Sequence, residues 1–376
     1  LKTKISKKTK SENKIIDITF QKGIMKILNK PYYGIYFGKY YKLLKNIFLN
    51  KNFFSKKILL LDINTKKYCL DYFLSKTNLF NKYYLINLFS GEEEKNIDTC
   101  KKIWKKLIKL NADRNSIVIN LGGGVITDMG GFACSVFKRG LNFINIPTTL
   151  LSMIDASIGG KTAINFFSLK NEIGLFNDSK IILIDKNYLK TLSEDEIKSG
   201  LSEILKYGLI YDINLWNLLK IIVFSKMKDE IIYKSIIRKS NIIEKDYKEK
   251  GLRKILNFGH TIGHAIESYF IYNLNKRLSH GHSIAIGMIC ESWISYKMKI
   301  IKKTEFEEIY NVLSILYKKI KIYNSDIYKI LYFMKHDKKN KNKKIKFSLI
   351  KEIGYCLYNI EVDYELIKES IKNYLF

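Results

Sequence analysis

No apolar run in this 376-residue chain approaches the roughly 20 residues that a membrane-spanning helix needs, so a spanning protein is not expected. Cysteine is sparse and scattered. Cys69, Cys100, Cys134, Cys290 and Cys356 form no C-x-x-C pair, and their odd count argues against a disulfide framework. A reducing cytoplasm is the expected setting. Proline occurs only at Pro31 and Pro147, in a composition rich throughout in Lys, Ile, Asn and Tyr. Acid is short relative to base: 66 Lys and Arg stand against 36 Asp and Glu, a net charge of +30. That charge admits a nucleic-acid binder. The lysines, however, are spread over nearly every helix-like stretch instead of forming a patch, which favours compositional drift and no specific nucleic-acid partner. The stretch Leu1 to Lys14 has no apolar h-region of the secretory kind and reads as a solvated, mobile basic tail.

A hydrophobic fraction of 47% excludes a mainly disordered chain. The length suits two domains or one large α/β unit. Up to about Ile184, short apolar runs alternate with amphipathic stretches. Ile58–Asp62, Tyr84–Asn87, Ser116–Leu121, Phe143–Ile146 and Ile181–Asp185 are of strand length, and helical text such as Thr99–Leu110 lies between them. That alternation predicts βαβ units and a Rossmann-like, largely parallel sheet. After about Tyr188 the strand signals nearly vanish. Ser193–Leu209, Asp229–Tyr247, Asn257–Tyr269, His282–Lys299 and Thr304–Ile320 read as helices, the first opened by Ser193-Glu-Asp-Glu196 as a capping box. The expected organisation is a tail at 1–14, an α/β domain at 15–188 and an all-α domain at 189–376, with the boundary near 186–192. No internal repeat is visible.

Gly122-Gly-Gly-Val-Ile-Thr-Asp-Met-Gly-Gly131 follows a strand and opens a helix, where a bare backbone can approach a pyrophosphate at a helix N-terminus. Its spacing is not G-x-G-x-x-G, so a nucleotide site and a simple tight turn both remain open. Gly159-Gly-Lys-Thr162 resembles the end of a P-loop, but Asp155 stands where that motif needs glycine, and the P-loop reading is rejected. The histidines are the sharper signal. His260, His264, His280 and His282 cluster, with only His336 elsewhere. His260 and His264 share a helix face at a metal-compatible spacing, without the Glu of a zincin. Residue chemistry alone does not say which of the four are ligands. It also offers three candidate carboxylates, Glu203, Glu244 and Glu267.

Taken in order, several runs resemble the 3-dehydroquinate synthase family. These are Gly122–Arg139, Pro147-Thr-Thr-Leu-Leu151, Asp155–Thr162, Lys170-Asn171, Ser199–Gly208, Gly251–Glu267 and His280-Gly281, over roughly 60 to 350. The resemblance implies a homodimer of two-domain subunits, with NAD in the α/β half and a divalent metal, normally Zn2+ with Co2+ as an alternative, between the halves. It implies a sugar-acid phosphate substrate, 3-deoxy-D-arabino-heptulosonate 7-phosphate, converted to 3-dehydroquinate and phosphate. The implied chemistry is transient oxidation by NAD, phosphate elimination, reduction and aldol closure. The implied metal ligands are Glu203, His260 and His280. NAD contacts fall on Asp62, Asn64, Glu92, Lys95, Gly123, Gly124, Asp128, Thr148, Thr149, Lys161, Lys170 and Thr191. Substrate and catalytic positions fall on Asp155, Lys161, Asn171, Lys239, Arg253, Asn257 and His264, with Arg139 reaching from a neighbouring subunit. Lys339, with Lys338 competing, matches a phosphate lysine. Relatives carry Glu after the His-Gly pair where this chain has His282, whose role stays open. Related sugar-phosphate cyclases and metal-dependent polyol dehydrogenases share the glycine turn and the histidine pair. The Lys170-Asn171 pair and the Arg253-x-x-x-Asn257 run favour dehydroquinate synthase over a dehydrogenase.

Overall fold

A computed structural model describes residues 20–21, 24–29, 34–38, 41, 44, 54–77, 83–167, 169–221, 228–273, 278–335 and 345–375. The basic tail at 1–14, His336, Lys338 and Lys339 lie outside the described residues.

The α/β half runs β1 (Phe20–Gln21), β2 (Ile24–Asn29), β3 (Gly34–Gly38), β4 (Lys57–Asp62), α1 (Ile63–Tyr68), α2 (Leu70–Thr77), β5 (Tyr84–Leu88), α3 (Ile97–Lys109), β6 (Ile117–Gly122), α4 (Gly124–Val136) and β7 (Asn142–Pro147). A hairpin of β8 (Lys161–Phe166) and β9 (Leu169–Phe176) follows, then β10 (Ile181–Ile184). The main sheet has the order β1-β2-β3-β10-β7-β6-β4-β5. Its six strands from β3 to β5 are parallel, and β1 and β2 pair antiparallel at one edge. The expected parallel sheet is present, with β2 and β3 added on a side where the sequence patterning is weak.

All six residues of β6 are buried, as a strand covered on both faces requires. Ile58, Leu60, Val118 and Phe143 face α3 and α4 on one side, while Leu59, Leu61, Ile119 and Ile146 face the other. Each such side chain contributes about 1.5–3 kcal/mol on burial. The second face belongs to a core that continues without a break into the helical half, through Leu201, Ile204, Ile262 and Ile284. The chain turns outward from β4 to β5 and returns to β6 on the other flank of β4. The crevice beyond the carboxyl ends of β4 and β6 is therefore a topological switch point, where open α/β sheets bind ligands.

Residues 186–191 form a 3₁₀ turn. Beyond it come α5 (Glu194–Tyr211), α6 (Ile213–Ile221), α7 (Asp229–Lys245), α8 (His260–Asn273), α9 (His280–Lys297), α10 (Lys303–Leu316) and α11 (Asn324–Lys335). Ser193 caps α5, accepting the Glu196 N–H at 3.4 Å. This half is mostly helical, with one departure from an all-α domain: an antiparallel hairpin of β11 (Ile345–Glu352) and β12 (Tyr355–Val362) precedes α12 (Tyr364–Leu375). Bulges interrupt its register, and β12 is largely exposed, so neither a long apolar run nor strict alternation marks it.

Candidate active site

One cleft of about 1980 Å³ runs along the carboxyl edge of the sheet and against the helical half. Its sheet side begins at the glycine turn. Gly123 precedes α4 with no side chain capping the helix, so the first N–H groups of α4 face the cleft. A Cβ at Gly123 would sit 2.9 Å from Thr149 Cγ2, so only a bare backbone fits there. Asp62 and Asn64 leave β4, and Thr148 and Thr149 follow β7, all on the same wall. Asp62 also caps α1 through the Thr65 N–H at 2.7 Å. Glu92, Gly124 and Thr191 complete that wall. Lys95 is buried there, donating to Asp128 at 2.6 Å and to Asn171 at 2.5 Å. Lys170 and Asn171 arrive on β9, so the small hairpin brings its residues over the crevice.

The facing wall carries the charges. Asp155 lies in a π-turn at Ser152–Ala156, a geometry that recurs at functional sites. Its Oδ1 accepts from Lys239 Nζ at 2.5 Å and from the Tyr207 hydroxyl at 2.6 Å. Burial opposes the Asp155 charge, but the Lys239 ammonium outweighs it and holds the carboxyl below its ordinary value. Arg253 is 1% exposed. It donates to the Gly159 carbonyl at 3.0 Å and to that of Tyr247, while its Nε has no partner among the described residues. A Cβ on Gly159 would lie 2.7 Å from Arg253 Nη2, and Gly159 has φ +98°, so this glycine leaves room for the guanidinium. Lys161 pairs with Glu249, which also accepts from Asn257 Nδ2 at 2.7 Å.

The histidines meet between the walls. On α8, His260, His264 and Glu267 recur at helical spacing and share a stripe. His280 opens α9. Glu203, on α5, is fully buried, with His260 Nε2 at 3.3 Å and His280 Nε2 at 3.7 Å from its Oε1. Lys206 lies beside Oε2, yet neither oxygen receives a properly directed hydrogen bond. The three donor atoms lie within 4.8 Å of one another. A buried carboxylate without a directed donor, faced by two imidazole nitrogens, is a set that fits a tetrahedral divalent ion with one open position. Burial penalises the Glu203 charge, but Lys206 and His260 outweigh it and hold the carboxyl well below its usual range. His264 is pushed well below 6.5 by burial and then by His260, so it is a neutral imidazole. Burial also opposes the His280 imidazolium, but the Glu267 carboxylate, with Glu203 facing the other ring nitrogen, raises it to about 9.

The residues from 85 to 199 match the family model described as 3-dehydroquinate synthase N-terminal, and those from 200 to 340 match its C-terminal counterpart. A 3-dehydroquinate synthase of Parabacteroides distasonis is 38% identical over 332 residues, covering 87% of this chain and 93% of that protein. The chain belongs to the 3-dehydroquinate synthase family. The fold of this family member is shared with solved sugar-phosphate cyclases. A 2-epi-5-epi-valiolone synthase of Streptomyces hygroscopicus, solved with NAD+ and Zn2+, superposes with a TM-score of 0.80 at 23% identity, over 92% of this chain and 98% of its own. A 2-deoxy-scyllo-inosose synthase, solved with carbaglucose-6-phosphate, NAD+ and Co2+, gives 0.77 at 24% identity, over 91% and 96%.

Every described residue that the resemblance named lines this cleft, apart from two. Glu203 is buried behind it, and Arg139 is exposed on its own chain and does not line it. His282 lines the rim and donates from Nε2 to the Lys318 carbonyl, 3.0 Å away. Sequence reasoning missed four groups: Lys206, Tyr207, Glu249 and the use of Glu267. The Glu-x-x-Lys206-Tyr207 run and the His264-x-x-Glu267 spacing carried the available signal.

Proposed function

We propose that this family member is an NAD- and divalent-metal-dependent 3-dehydroquinate synthase, a carbon–oxygen lyase acting on 3-deoxy-D-arabino-heptulosonate 7-phosphate. The observation that carries the reading is the meeting at one cleft of the bare α4 N-terminus, the imidazoles of His260 and His280 with Glu203 buried behind them, and the cations Lys161, Lys239 and Arg253. The named ligands of the two solved cyclases, NAD+ with Zn2+ or Co2+, are consistent with it. When bound, NAD would accept and return a hydride while the divalent ion polarised a substrate hydroxyl.

The chain's own residues do the rest. The uncapped N–H groups after Gly123 favour a pyrophosphate, and Lys95 supplies a buried cation beside them. Arg253 offers an Nε–H with no acceptor among the described residues, which suits a carboxylate or phosphate oxygen. Lys161 and Asn257, steadied by Glu249, hold further polar groups of the substrate. His264 is neutral and can take or return a proton at a hydroxyl. Asp155 orients with Lys239 and Tyr207 as one hydrogen-bonded unit. The reading includes a homodimer in which Arg139 completes the partner's cleft, a phosphate contact from Lys339, a division into units near residue 188, and a cytoplasmic setting. No helix of the described residues is long and apolar enough to cross a membrane.

Purified chain supplied with zinc, NAD and the heptulosonate phosphate should form 3-dehydroquinate, identified by mass. An oxidised, still phosphorylated product would refute the assignment and favour a polyol dehydrogenase.

A further inference from the structure

We propose that Glu267 is a positioning residue that fixes the rotation and tautomer of His280, an inference that rests on the metal reading of Glu203, His260 and His280. His280 is gripped at both ring nitrogens. Nε2 points to Glu203 Oε1 at 3.7 Å, and Nδ1 lies 3.2 Å from Glu267 Oε2. An ionised carboxylate only accepts, so Nδ1 keeps its N–H on Glu267, and Nε2, turned toward Glu203, is the nitrogen that would hold the ion. A carboxylate behind a ligating imidazole makes that imidazole a better donor and stops it from turning.

Glu267 is itself held. Its side chain is 6% exposed, and its other oxygen accepts from Lys170 Nζ at 2.5 Å. Lys170 comes from β9, across the cleft, so a residue of the α/β half steadies a carboxylate behind the histidine of the helical half. A second donor set is within reach, because His264, Glu267 and His280 also bring their atoms within 4.8 Å. The two carboxylates differ in what already occupies them. Both Glu267 oxygens are engaged, by Lys170 and by the Nδ1 side of His280, whereas Glu203 has Lys206 at Oε2 and turns Oε1 toward the Nε2 atoms of both His260 and His280. Glu203 is thus the ligand and Glu267 stands behind the ligand.

The test is zinc affinity by competition against a chromophoric chelator, measured on wild type, Glu267→Gln, Glu267→Ala and Glu203→Gln. Far-UV circular dichroism and melting of the zinc-free proteins are read beside it. Gln keeps the shape of Glu but offers one acceptor oxygen where two are used, so it cannot serve Lys170 and His280 together. The expected result is stoichiometric zinc in wild type, an affinity about 10- to 100-fold weaker in both folded Glu267 variants, and zinc lost in Glu203→Gln. Wild-type affinity in a folded Glu267 variant would overturn the positioning role, even if its melting temperature fell. Zinc loss in Glu267→Gln as complete as in Glu203→Gln would make Glu267 a ligand and overturn it as well. Absence of zinc binding by wild type would instead refute the metal reading on which the inference rests.

Discussion

Arg253→Ala probes the anion-binding wall at the point where the structure leaves a donor without an acceptor. The guanidinium is 1% exposed, its Nη2 is spent on the Gly159 carbonyl at 3.0 Å, its Nη1 on Tyr247, and its Nε is buried with no partner among the described residues. A hydrogen bond to a charged group is worth about 1.5–3 kcal/mol. Losing one such contact to a substrate anion should lower kcat/KM by roughly 10- to 150-fold. The truncation also strips a donor from two carbonyls, at about 1–3 kcal/mol each where they stay buried, so the melting temperature should fall too. Arg253→Lys separates the two effects: it restores a positive charge but not the planar fork, and should recover only part of kcat/KM. Steady-state kinetics on the heptulosonate phosphate, with metal analysis of the same samples, is the assay. Zinc should stay stoichiometric, because Glu203, His260 and His280 are held by other partners. A metal-poor Arg253→Ala, or one with unchanged kcat/KM, would refute this reasoning.

Other perturbations separate the remaining parts of the site. His260→Ala, His280→Ala and Glu203→Gln should purify metal-poor, whereas His264→Ala should keep zinc and lose kcat; the reverse pattern in metal analysis would mean that the ligand set is wrong. Glu291, on α9, accepts the Gly259 N–H at 2.7 Å and the Ile262 N–H at 3.2 Å, so it caps the helix that carries His260. Urea denaturation of Glu291→Ala should show a loss of about 3 kcal/mol or more, since two buried donors lose a charged acceptor; a loss below about 1 kcal/mol would contradict that role. Burial opposes the Asp246 carboxylate, but the backbone N–H groups of Gly251, Lys250 and Arg253 outweigh it and hold it below its ordinary 3.8. A depressed folded value means that its contribution to the Arg253 loop is fully present above the unfolded pKa and is lost as pH falls through the folded one. An NMR midpoint for Asp246 at or above 3.8 would contradict this.

The alternation of Ile58–Asp62, Ser116–Leu121 and Phe143–Ile146 with helical text was enough to read the parallel sheet, because these strands are buried on both faces and appear as short apolar runs, interrupted only by Asn120 and Asn145, which pair with each other. Strands with exposed positions were not readable in the same way. The β8–β9 hairpin has mixed burial, with β9 largely exposed or half-buried, and only tertiary structure shows that it delivers Lys170 and Asn171. Among the site residues, histidine is rare in this chain and its clustering was visible at once. Lysine and glutamate are common, so Lys206 and Glu249 were indistinguishable from surface residues, and Glu267 stood only as one of three candidate carboxylates, until the fold brought each against its partner. The rejected P-loop is equally instructive. Its Gly159 leaves room for Arg253, and Gly160, at φ +69°, packs against Tyr247 and Asp178.

The most direct measurement is a time course of phosphate and NADH from the same reaction, run with NAD far below the substrate concentration. Phosphate should be released in step with substrate consumed, through many turnovers per NAD, with no accumulation of NADH. NADH rising in proportion to turnover, or turnover stopping once NAD is spent, would contradict a cycle in which the hydride is returned.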